Sequence, residues 1–342
     1  MNNALRTVIE LKDQAGYEDA FFINIVDQEV LKDIMFVHTS VGIIKKNIPY
    51  LCNGTHEIPK ERFNELDYIM KMLDAFSQCT EGQVEGDTEE SGAASFDMNT
   101  LKDKITKRQK IMRELYLVEY IVQILYFPFI TKNFNLAKIT QEDLITRVCK
   151  NAYELLKNAV GGYEINEMYA SQWINFFFTQ AMSTSDENDI FAQSTVEELL
   201  SDNTKLLNEQ ITPSIIKQFI TLCKEQPKDK KLIKLLTALC SCYGEPVEHN
   251  QMHIVKFLLE DKDTRDKLMM PVRLRETAVE VRVEGTAYIS LAMLPDFSKS
   301  RDDGRVYKYF KGLVDLAGNL CLGRNTTAFK ELNSVFGFDT VF

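Results

Sequence analysis

The chain has 342 residues, of which 45% are hydrophobic and 26% are charged, values typical of a folded soluble protein that forms one elongated domain or two compact ones. Its formal net charge of -10 argues against a nucleic-acid partner, because nothing offsets repulsion from a phosphate backbone. The longest apolar run covers only 120–130, whereas a membrane-spanning helix needs about 20 apolar residues, so we expect no direct membrane insertion of this segment.

The N-terminal sequence and the cysteines indicate a cytosolic protein. The N-terminus lacks a basic start followed by an apolar stretch, so no signal peptide is predicted. The seven cysteines, an odd number, are scattered along the sequence, which favours a reduced compartment over a disulfide scaffold.

Helical periodicity dominates the sequence. At 59–79, Pro59 suits a first helical turn and apolar residues then recur at three- and four-residue steps. Similar patterns predict further helices at 142–159, 165–182, 213–225, 231–243, 250–260, 304–321 and 326–335. Only AVEVRV at 278–283 alternates as a strand does, and it is either a short strand or an extended connector. We therefore predict an all-α fold.

The spacing of the predicted helices indicates how they are arranged. Helix pairs recur roughly every 40 residues, close to the period of armadillo or HEAT repeats, although no strict repeat signature is present. We predict an armadillo/HEAT-like α-solenoid of stacked helix pairs. Such stacks form extended surfaces that bind partners or transmit movement, and they seldom enclose a catalytic site. The acidic stretch at 80–99 has almost no large apolar residues and is predicted to be a disordered loop.

Signatures of common enzymes and cofactor sites are missing from the sequence. No GxGxxG follows a strand, and GxxxxGK[ST], HExxH and GxSxG do not occur, so we predict no catalytic residue and no cofactor. The best metal-ligand pattern combines Cys240 and Cys242 with His249 and His253. The histidine spacing suits a metal, but two cysteines two residues apart on a helix point in different directions. We expect both cysteines to be buried as small apolar side chains, and no metal site.

The aromatic run WINFFF, which begins at Trp173, has helical spacing. Such runs form hydrophobic core more often than a ligand cage, because aromatic rings bury large areas. We therefore assign this run to the core.

The stretch KRQKIMREL at 107–115 carries four cations in seven residues. On one helix over 105–126, an apolar stripe forms from Ile111, Leu115, Val118, Val122 and Leu125. Lys110 and Arg113 then fall one turn apart on an adjoining flank, with Thr106 one turn earlier. Two cations so placed suit neighbouring phosphates of one small ligand. A solvated helix face is the alternative that the pattern leaves open.

KRQKIMREL, together with the following LVEYIVQILYFPF, resembles the armadillo part of inositol trisphosphate receptors, intracellular calcium-release channels that share this region with ryanodine receptors. Further stretches are similar to the same family in the same order: 18–37, 194–222, 235–259 and 305–332. With this resemblance the chain divides into an N-terminal helical part of the solenoid at 1–79, the acidic loop at 80–99, RIH-type armadillo repeats at 100–275, and a connector with the start of the next armadillo segment at 276–342.

The resemblance implies a ligand and three contact residues. Lys110 and Arg113 match two phosphate ligands of the family, and Tyr163 matches the tyrosine of a Tyr-Arg-Lys triplet that contacts inositol trisphosphate. Neutral, acidic or apolar residues replace the other three family cations: Thr106, Glu164 and Ile165. Each charge-assisted hydrogen bond contributes ~1.5–3 kcal/mol, so these replacements predict a much weaker phosphate site.

The resemblance also implies a role. In this family the solenoid lies on the cytosolic side of the endoplasmic reticulum or another calcium-store membrane, forms one wall of the ligand pocket opposite a β-trefoil, and passes ligand closure to a distant pore. The predicted function is a non-catalytic module that couples ligand binding to gating, with other domains and subunits of a tetrameric channel as partners. We expect the chain to be part of a larger protein. The alternatives are a stand-alone armadillo-type scaffold and, less favoured, a metal- or phosphate-dependent enzyme.

Overall fold

The computed structural model describes residues 27–52, 60–80, 98–130, 144–183, 190–201, 203–225, 228–284, 287–302 and 304–337. The segment predicted to be a disordered loop, 80–99, lies outside these residues except at its two ends.

Helices make up most of the described chain, as the periodicity predicted. The first part contains α1 (Gln28–Cys52), α2 (Lys60–Ser77), α3 (Met98–Glu114), α4 (Leu117–Ile130) and α5 (Leu144–Val160). The middle part contains α6 (Glu164–Ala170), α7 (Ile174–Ser183), α8 (Ala192–Ser201), α9 (Thr204–Glu209), α10 (Pro213–Glu225) and α11 (Lys230–Ala238). The last part contains α12 (Glu248–Ile254), α13 (Lys262–Leu268), α14 (Leu294–Asp302), α15 (Arg305–Leu320) and α16 (Thr326–Phe336). The all-α class is confirmed.

Short irregular helical segments connect some of these helices. A 3₁₀ turn at Ser171–Trp173 divides the helix predicted at 165–182 into α6 and α7. A π-helical stretch at Val255–Glu260 continues α12, where one helix had been predicted at 250–260. Further 3₁₀ turns lie at Leu291–Met293 and Leu322–Arg324.

Two small antiparallel sheets lie in the last third of the chain. Strands β1 (Ser241–Cys242) and β2 (Glu245–Pro246) form a hairpin, and β3 (Val272–Arg275), β4 (Ala278–Glu284) and β5 (Ala287–Ser290) form a meander in that order. The alternating segment at 278–283 is therefore a strand. The helix predicted at 231–243 ends at Ala238, because Tyr243 (φ 51°) and Gly244 (φ 78°) make the left-handed turn that a two-residue hairpin requires.

The single helix predicted at 105–126 is wrong. The chain leaves the helical path at Tyr116, whose φ is +62°, and the amide of Tyr116 donates to the carbonyl of Arg113 at 3.0 Å. This elbow redirects α4 so that Leu117, Val118 and Ile121 become fully buried. Ile111, on the other side of the elbow, is only half-buried, so the predicted apolar stripe does not run straight through.

Helices far apart in the sequence pack in succession. Helix α2 packs on α5, α5 on α8, α8 on α11, and α11 on α15. The aromatic run belongs to the core, as predicted, since Phe177 and Phe178 are buried and the Phe178 ring meets Phe219 edge-to-face at 4.6 Å. At the contact of α11 and α15, a Cβ on Gly312 would lie 3.2 Å from Cγ2 of Ile233, so the two helices approach closely there.

Two other glycines differ sharply in their surroundings. Gly323 adopts a φ of +71°, and a Cβ at this position would lie 2.7 Å from Cγ of Pro246. Gly318 lies within α15, and nothing would lie within 4 Å of its Cβ. Glycine is therefore required at the first position and not at the second.

Candidate functional site

Arg108, one of the four cations of KRQKIMREL, is part of the core. Its side chain is only 5% exposed, and its Nε lies 3.2 Å from Oδ2 of Asp33 on α1. Nη1 donates to the carbonyl of Phe76 at 2.8 Å, and the guanidinium lies 4.0 Å from the centre of the Phe76 ring. Arg108 therefore ties α3 to α1 and α2. The sequence reasoning missed this role, because a buried cation has no periodic signal of its own.

Arg113 and Tyr163, two of the predicted ligand residues, lie together. The guanidinium of Arg113 is 5.9 Å from the centre of the Tyr163 ring. Nη1 donates to Oδ1 of Asn166 at 3.0 Å, and Nη2 donates to Oε1 of Glu114 at 2.6 Å. The hydrogen bond from Arg113, followed by the charges of Arg113 and Lys110, lowers the pKa of Glu114. The carboxylate of Glu114 is therefore already paired with Arg113.

Lys110, the third predicted ligand residue, is exposed one turn before Arg113. It borders a groove of about 350 Å³ between α1 and α3, whose lining is largely apolar and includes Val30 and Ile34. The hydrogen bond and the charge of Arg113, followed by the charge of Lys110, lower the pKa of Glu114, although Arg113 contacts Asn166 and Tyr163 whereas Lys110 borders the groove. Thr106 lies two turns from Arg113, and its hydroxyl donates to the carbonyl of Lys102.

The replacements of family cations on α6 are at the surface. Glu164 is exposed in the first turn of α6, and Ile165 is 55% exposed. An acid and an apolar side chain therefore follow Tyr163 directly. A carboxylate suits the positive end of a helix, whereas it repels a phosphate at the same place.

Asn166 connects the predicted ligand patch to the core. It is fully buried, and its Nδ2 donates to the carbonyls of Gln109 on α3 and Ala159 on α5, both at 2.9 Å. Its Oδ1 accepts the bond from Arg113. In return, Nε2 of Gln109 donates to the carbonyls of Asn158 and Gly161 at the end of α5, at 2.9 Å each. Three helices are thus joined at one side chain.

The neighbouring residue extends this connection to the next helices. Glu167 is buried, and its Oε2 accepts from Nδ2 of Asn203 at 2.9 Å. Asn203 is the N-cap of α9, because its Oδ1 accepts from the amide of Leu206 at 2.8 Å. A short polar path therefore runs from Arg113 through α6 to the start of α9.

The same arrangement recurs later in the chain. Asn250 is buried, and its Nδ2 donates to the carbonyls of Leu207 on α9 at 3.2 Å and Leu239 after α11 at 3.1 Å. Gln251 accepts from Nδ2 of Asn325 at 3.4 Å, and Asn325 is the N-cap of α16. We call Asn166–Glu167 and Asn250–Gln251 the two polar joints. Both are followed by methionine in the sequence, as NEM and NQM. This short repeat is visible in the sequence, but the sequence reasoning did not identify it.

The candidate metal ligands have other contacts. Cys240 and Cys242 are buried, as predicted, and Sγ of Cys240 donates to the carbonyl of Leu236 at 3.2 Å. Burial raises the pKa of the Cys240 thiol, which disfavours the thiolate that a metal needs. The rings of His249 and His253 meet edge-to-face at 4.5 Å. Among the described residues, no group of three or more His, Cys, Asp or Glu side chains is arranged to hold a metal ion.

The surroundings of His253 disfavour its charged form. Burial, followed by the charges of His249 and Lys256, lowers the pKa of His253. Its ring also stacks on Phe257 at 5.9 Å.

Within the described ranges, no helix combines the length and the apolar character needed to cross a bilayer.

Comparison with known sequences agrees with the resemblance. The sequence model described as the RIH domain (RYDR_ITPR) matches residues 80–274. An inositol 1,4,5-trisphosphate receptor-like protein A of Dictyostelium discoideum is 29% identical over 125 residues, covering 36% of this chain and 4% of that protein. An inositol 1,4,5-trisphosphate receptor of Caenorhabditis elegans is 23% identical over 228 residues, covering 63% of this chain and 8% of the receptor. This chain thus spans a small part of the length of these relatives. Because the domain match covers more than half of its residues, the chain belongs to the RIH-domain family of ryanodine and inositol trisphosphate receptors.

Proposed function

We propose that the chain is a non-catalytic helical module of an inositol trisphosphate receptor-like calcium-release channel, and that it couples ligand binding to gating. The RIH-domain match and the two relatives named as inositol trisphosphate receptors support the channel context. In this proposal the module lies on the cytosolic side of the endoplasmic reticulum or another calcium-store membrane. Its partners are the other domains and subunits of a tetramer.

The observation that carries the proposal is the bond between Arg113 and Asn166. Arg113 is a predicted phosphate ligand on α3 whose side chain is 14% exposed, and Asn166 is the buried residue that joins α3, α5 and α6. A phosphate that draws the guanidinium away from Asn166 and Glu114 changes the hydrogen bonding of the first joint. Ligand binding and helix packing are therefore linked through one side chain.

The second part of the proposal concerns transmission. The first polar joint contacts the N-cap of α9, and the second contacts the N-cap of α16. Together with the successive packing of α2, α5, α8, α11 and α15, this supports an armadillo-like solenoid in which each unit is tied to the next. A change at α3 is carried along such a stack as a movement of packed helices.

The ligand site consists of Lys110, Arg113 and Tyr163, with inositol trisphosphate as the ligand. Glu114 competes for Arg113, and Glu164 adds negative charge beside Tyr163. We therefore propose weak binding to this module alone, strengthened in the channel by the facing domain. Lys104, which lies on α3 with Lys110 and Arg113, forms an ion pair with Glu29, with 2.9 Å between Nζ and Oε1.

Two measurements test the proposal. An antibody raised against the chain should detect a polypeptide far larger than 39.4 kDa in calcium-store membranes. A soluble polypeptide of 39.4 kDa would instead indicate the stand-alone scaffold. Calorimetric titration with inositol trisphosphate should show weak binding that Arg113→Gln and Lys110→Gln each abolish, whereas Lys102→Gln on the same helix leaves it unchanged. Binding that survives both substitutions would place the ligand elsewhere.

A further inference from the structure

A second basic surface lies away from the ligand patch on α3 and α6. A groove of about 480 Å³ is bordered by residues of α8, α11 and α15. Most of its lining is lysine: Lys230, Lys231, Lys234, Lys308 and Lys311. Asp315 is the acidic residue among the described residues that line it. This concentration of positive charge stands out on a chain whose net charge is -10.

The packing of two helices brings these lysines together. Lys308 and Lys311 lie one turn apart on α15, next to Gly312. The missing side chain at Gly312 lets α15 approach Ile233 on α11, since a Cβ there would already lie 3.2 Å from Cγ2 of Ile233. Cations from both helices therefore face one concave surface, held by a rigid contact.

The lysines on α11 lie at a helix N-terminus that already has a carboxylate, because Oδ1 of the N-cap Asp229 accepts from the amide of Lys231 at 2.8 Å. Lys230, Lys231 and Lys234 lie in the first two turns of α11, where the helix dipole favours negative charge. Glu197 on α8 compensates one of them, because its Oε2 lies 2.5 Å from Nζ of Lys234. Among the described residues, the lining itself holds five lysines and one carboxylate, that of Asp315. An anion in the groove would interact with these cations through charge-assisted hydrogen bonds.

We propose that this groove, here called the lysine groove, binds a compact polyanion that carries several phosphate groups. Its volume falls in the range of pockets for small molecules, and its cations converge on a concavity instead of spreading over a flat face. Lysine binds phosphate as a flexible point charge, which suits a ligand with several phosphates. The site is separate from Lys110, Arg113 and Tyr163, and it does not depend on the function proposed above.

The test is calorimetric titration of the chain with inorganic phosphate, pyrophosphate and tripolyphosphate at two salt concentrations. Affinity should rise along this series and fall with salt, because exposed charges are screened. We expect Lys308→Gln/Lys311→Gln to weaken tripolyphosphate binding about tenfold, since two charge-assisted contacts at an exposed site are lost. Asp315→Asn should strengthen it, and a gain of affinity is not explained by misfolding. The matched control Lys299→Gln/Lys330→Gln removes two exposed lysines elsewhere and should leave binding unchanged.

Three results would overturn the proposal. The first is the absence of tripolyphosphate binding to the wild-type chain. The second is equal binding to the wild type and to the groove double variant, which would indicate general charge attraction. The third is binding to vesicles containing phosphatidylserine, or to a polyglutamate peptide, without binding to tripolyphosphate. Arg113→Gln should not affect the tripolyphosphate titration. A negative result for the lysine groove can therefore be distinguished from a negative result for the proposed ligand site on α3.

Discussion

Replacing Asn166 with alanine is expected to be among the most damaging polar substitutions in the described chain. The side chain is fully buried and makes two hydrogen bonds to backbone carbonyls at 2.9 Å and one with a guanidinium at 3.0 Å. The Ala159 carbonyl lies in the last turn of α5, where no helical amide remains to satisfy it. Asn166→Ala therefore leaves the buried Ala159 carbonyl without its donor and removes the hydrogen bond of Nη1 of Arg113, while the bond from Nη2 to Glu114 remains.

The expected loss follows from these three bonds. A neutral hydrogen bond contributes about 0.5–1.5 kcal/mol and one to a charged group about 1.5–3 kcal/mol, so the sum is roughly 3 kcal/mol when water replaces Asn166 as the acceptor for Nη1 of Arg113. Asn250→Ala removes only two bonds, at 3.2 and 3.1 Å, and no donor among the described residues reaches Oδ1 of Asn250. Its expected loss is smaller, roughly 2 kcal/mol.

The assay is urea unfolding followed by far-UV circular dichroism, with the free energy of unfolding obtained by linear extrapolation. Asn175→Ala serves as the control, since Asn175 is exposed on α7 and such changes stay within about 0.5 kcal/mol of wild type. If Asn166→Ala falls inside that range, or if Asn250→Ala loses more stability than Asn166→Ala, the account of the polar joints is refuted.

Three further predictions concern stability measured by the same urea unfolding. Arg108→Met leaves the largely buried Asp33 carboxylate without its cation and should cost about 3–5 kcal/mol, much of which the second substitution Asp33→Leu should restore. Gly323→Ala should destabilise by about 1–3 kcal/mol, because alanine is strained at a φ of +71° and collides with a proline ring. His253 is held neutral, so its contribution to stability is complete above its ordinary pKa of about 6.5 and is lost as the pH falls through its lowered folded-state pKa. His253→Gln should therefore flatten the pH dependence of stability below pH ~6.5.

Each of these predictions has its own control. Lys107→Met changes an exposed cation next to Arg108 and should be nearly neutral; a loss equal to that of Arg108→Met would contradict a special role for the buried pair. Gly318→Ala, in the open interior of α15, should stabilise by about 0.5–1 kcal/mol, and destabilisation there would contradict the packing described. An unchanged pH profile in His253→Gln would show that other groups carry the pH dependence.

The sequence was a good guide to the fold because burial repeats along a helix. Apolar periodicity located most helices within a few residues, and the alternation at 278–283 correctly marked β4. Periodicity did not predict the break between α3 and α4 at Tyr116, because the apolar pattern of the sequence continues across it. The residue with left-handed backbone at this break is a tyrosine and not a glycine, so no glycine marks it in the sequence. Periodicity also missed the β1–β2 hairpin, whose strands have two residues each and carry no pattern of their own.

The candidate site was predicted less completely. Helical spacing predicted that Lys110 and Arg113 lie one turn apart on one flank, which stays a prediction for a common site, and the resemblance added Tyr163, which lies beside Arg113. The sequence alone did not show that Glu114 pairs with Arg113, because neighbours in a helix sequence usually point apart. Nor did it show Asn166, whose partners lie 7 and 57 residues away and meet only through packing.

The segments that follow the two polar joints differ, and this difference bears on how the protein tolerates added sequence. After the first joint α7 leads to α8 over a few residues, whereas after the second the π-helical stretch is followed by α13, the β3–β4–β5 meander and α14 before α15 begins. This additional segment begins after Gln251 and ends before Asn325, so both residues of this hydrogen bond of the second joint lie outside it. The turn at Glu276 between β3 and β4 is exposed. A fluorescent label or an epitope inserted at that turn would therefore report on the protein without altering the spacing of its packed helices.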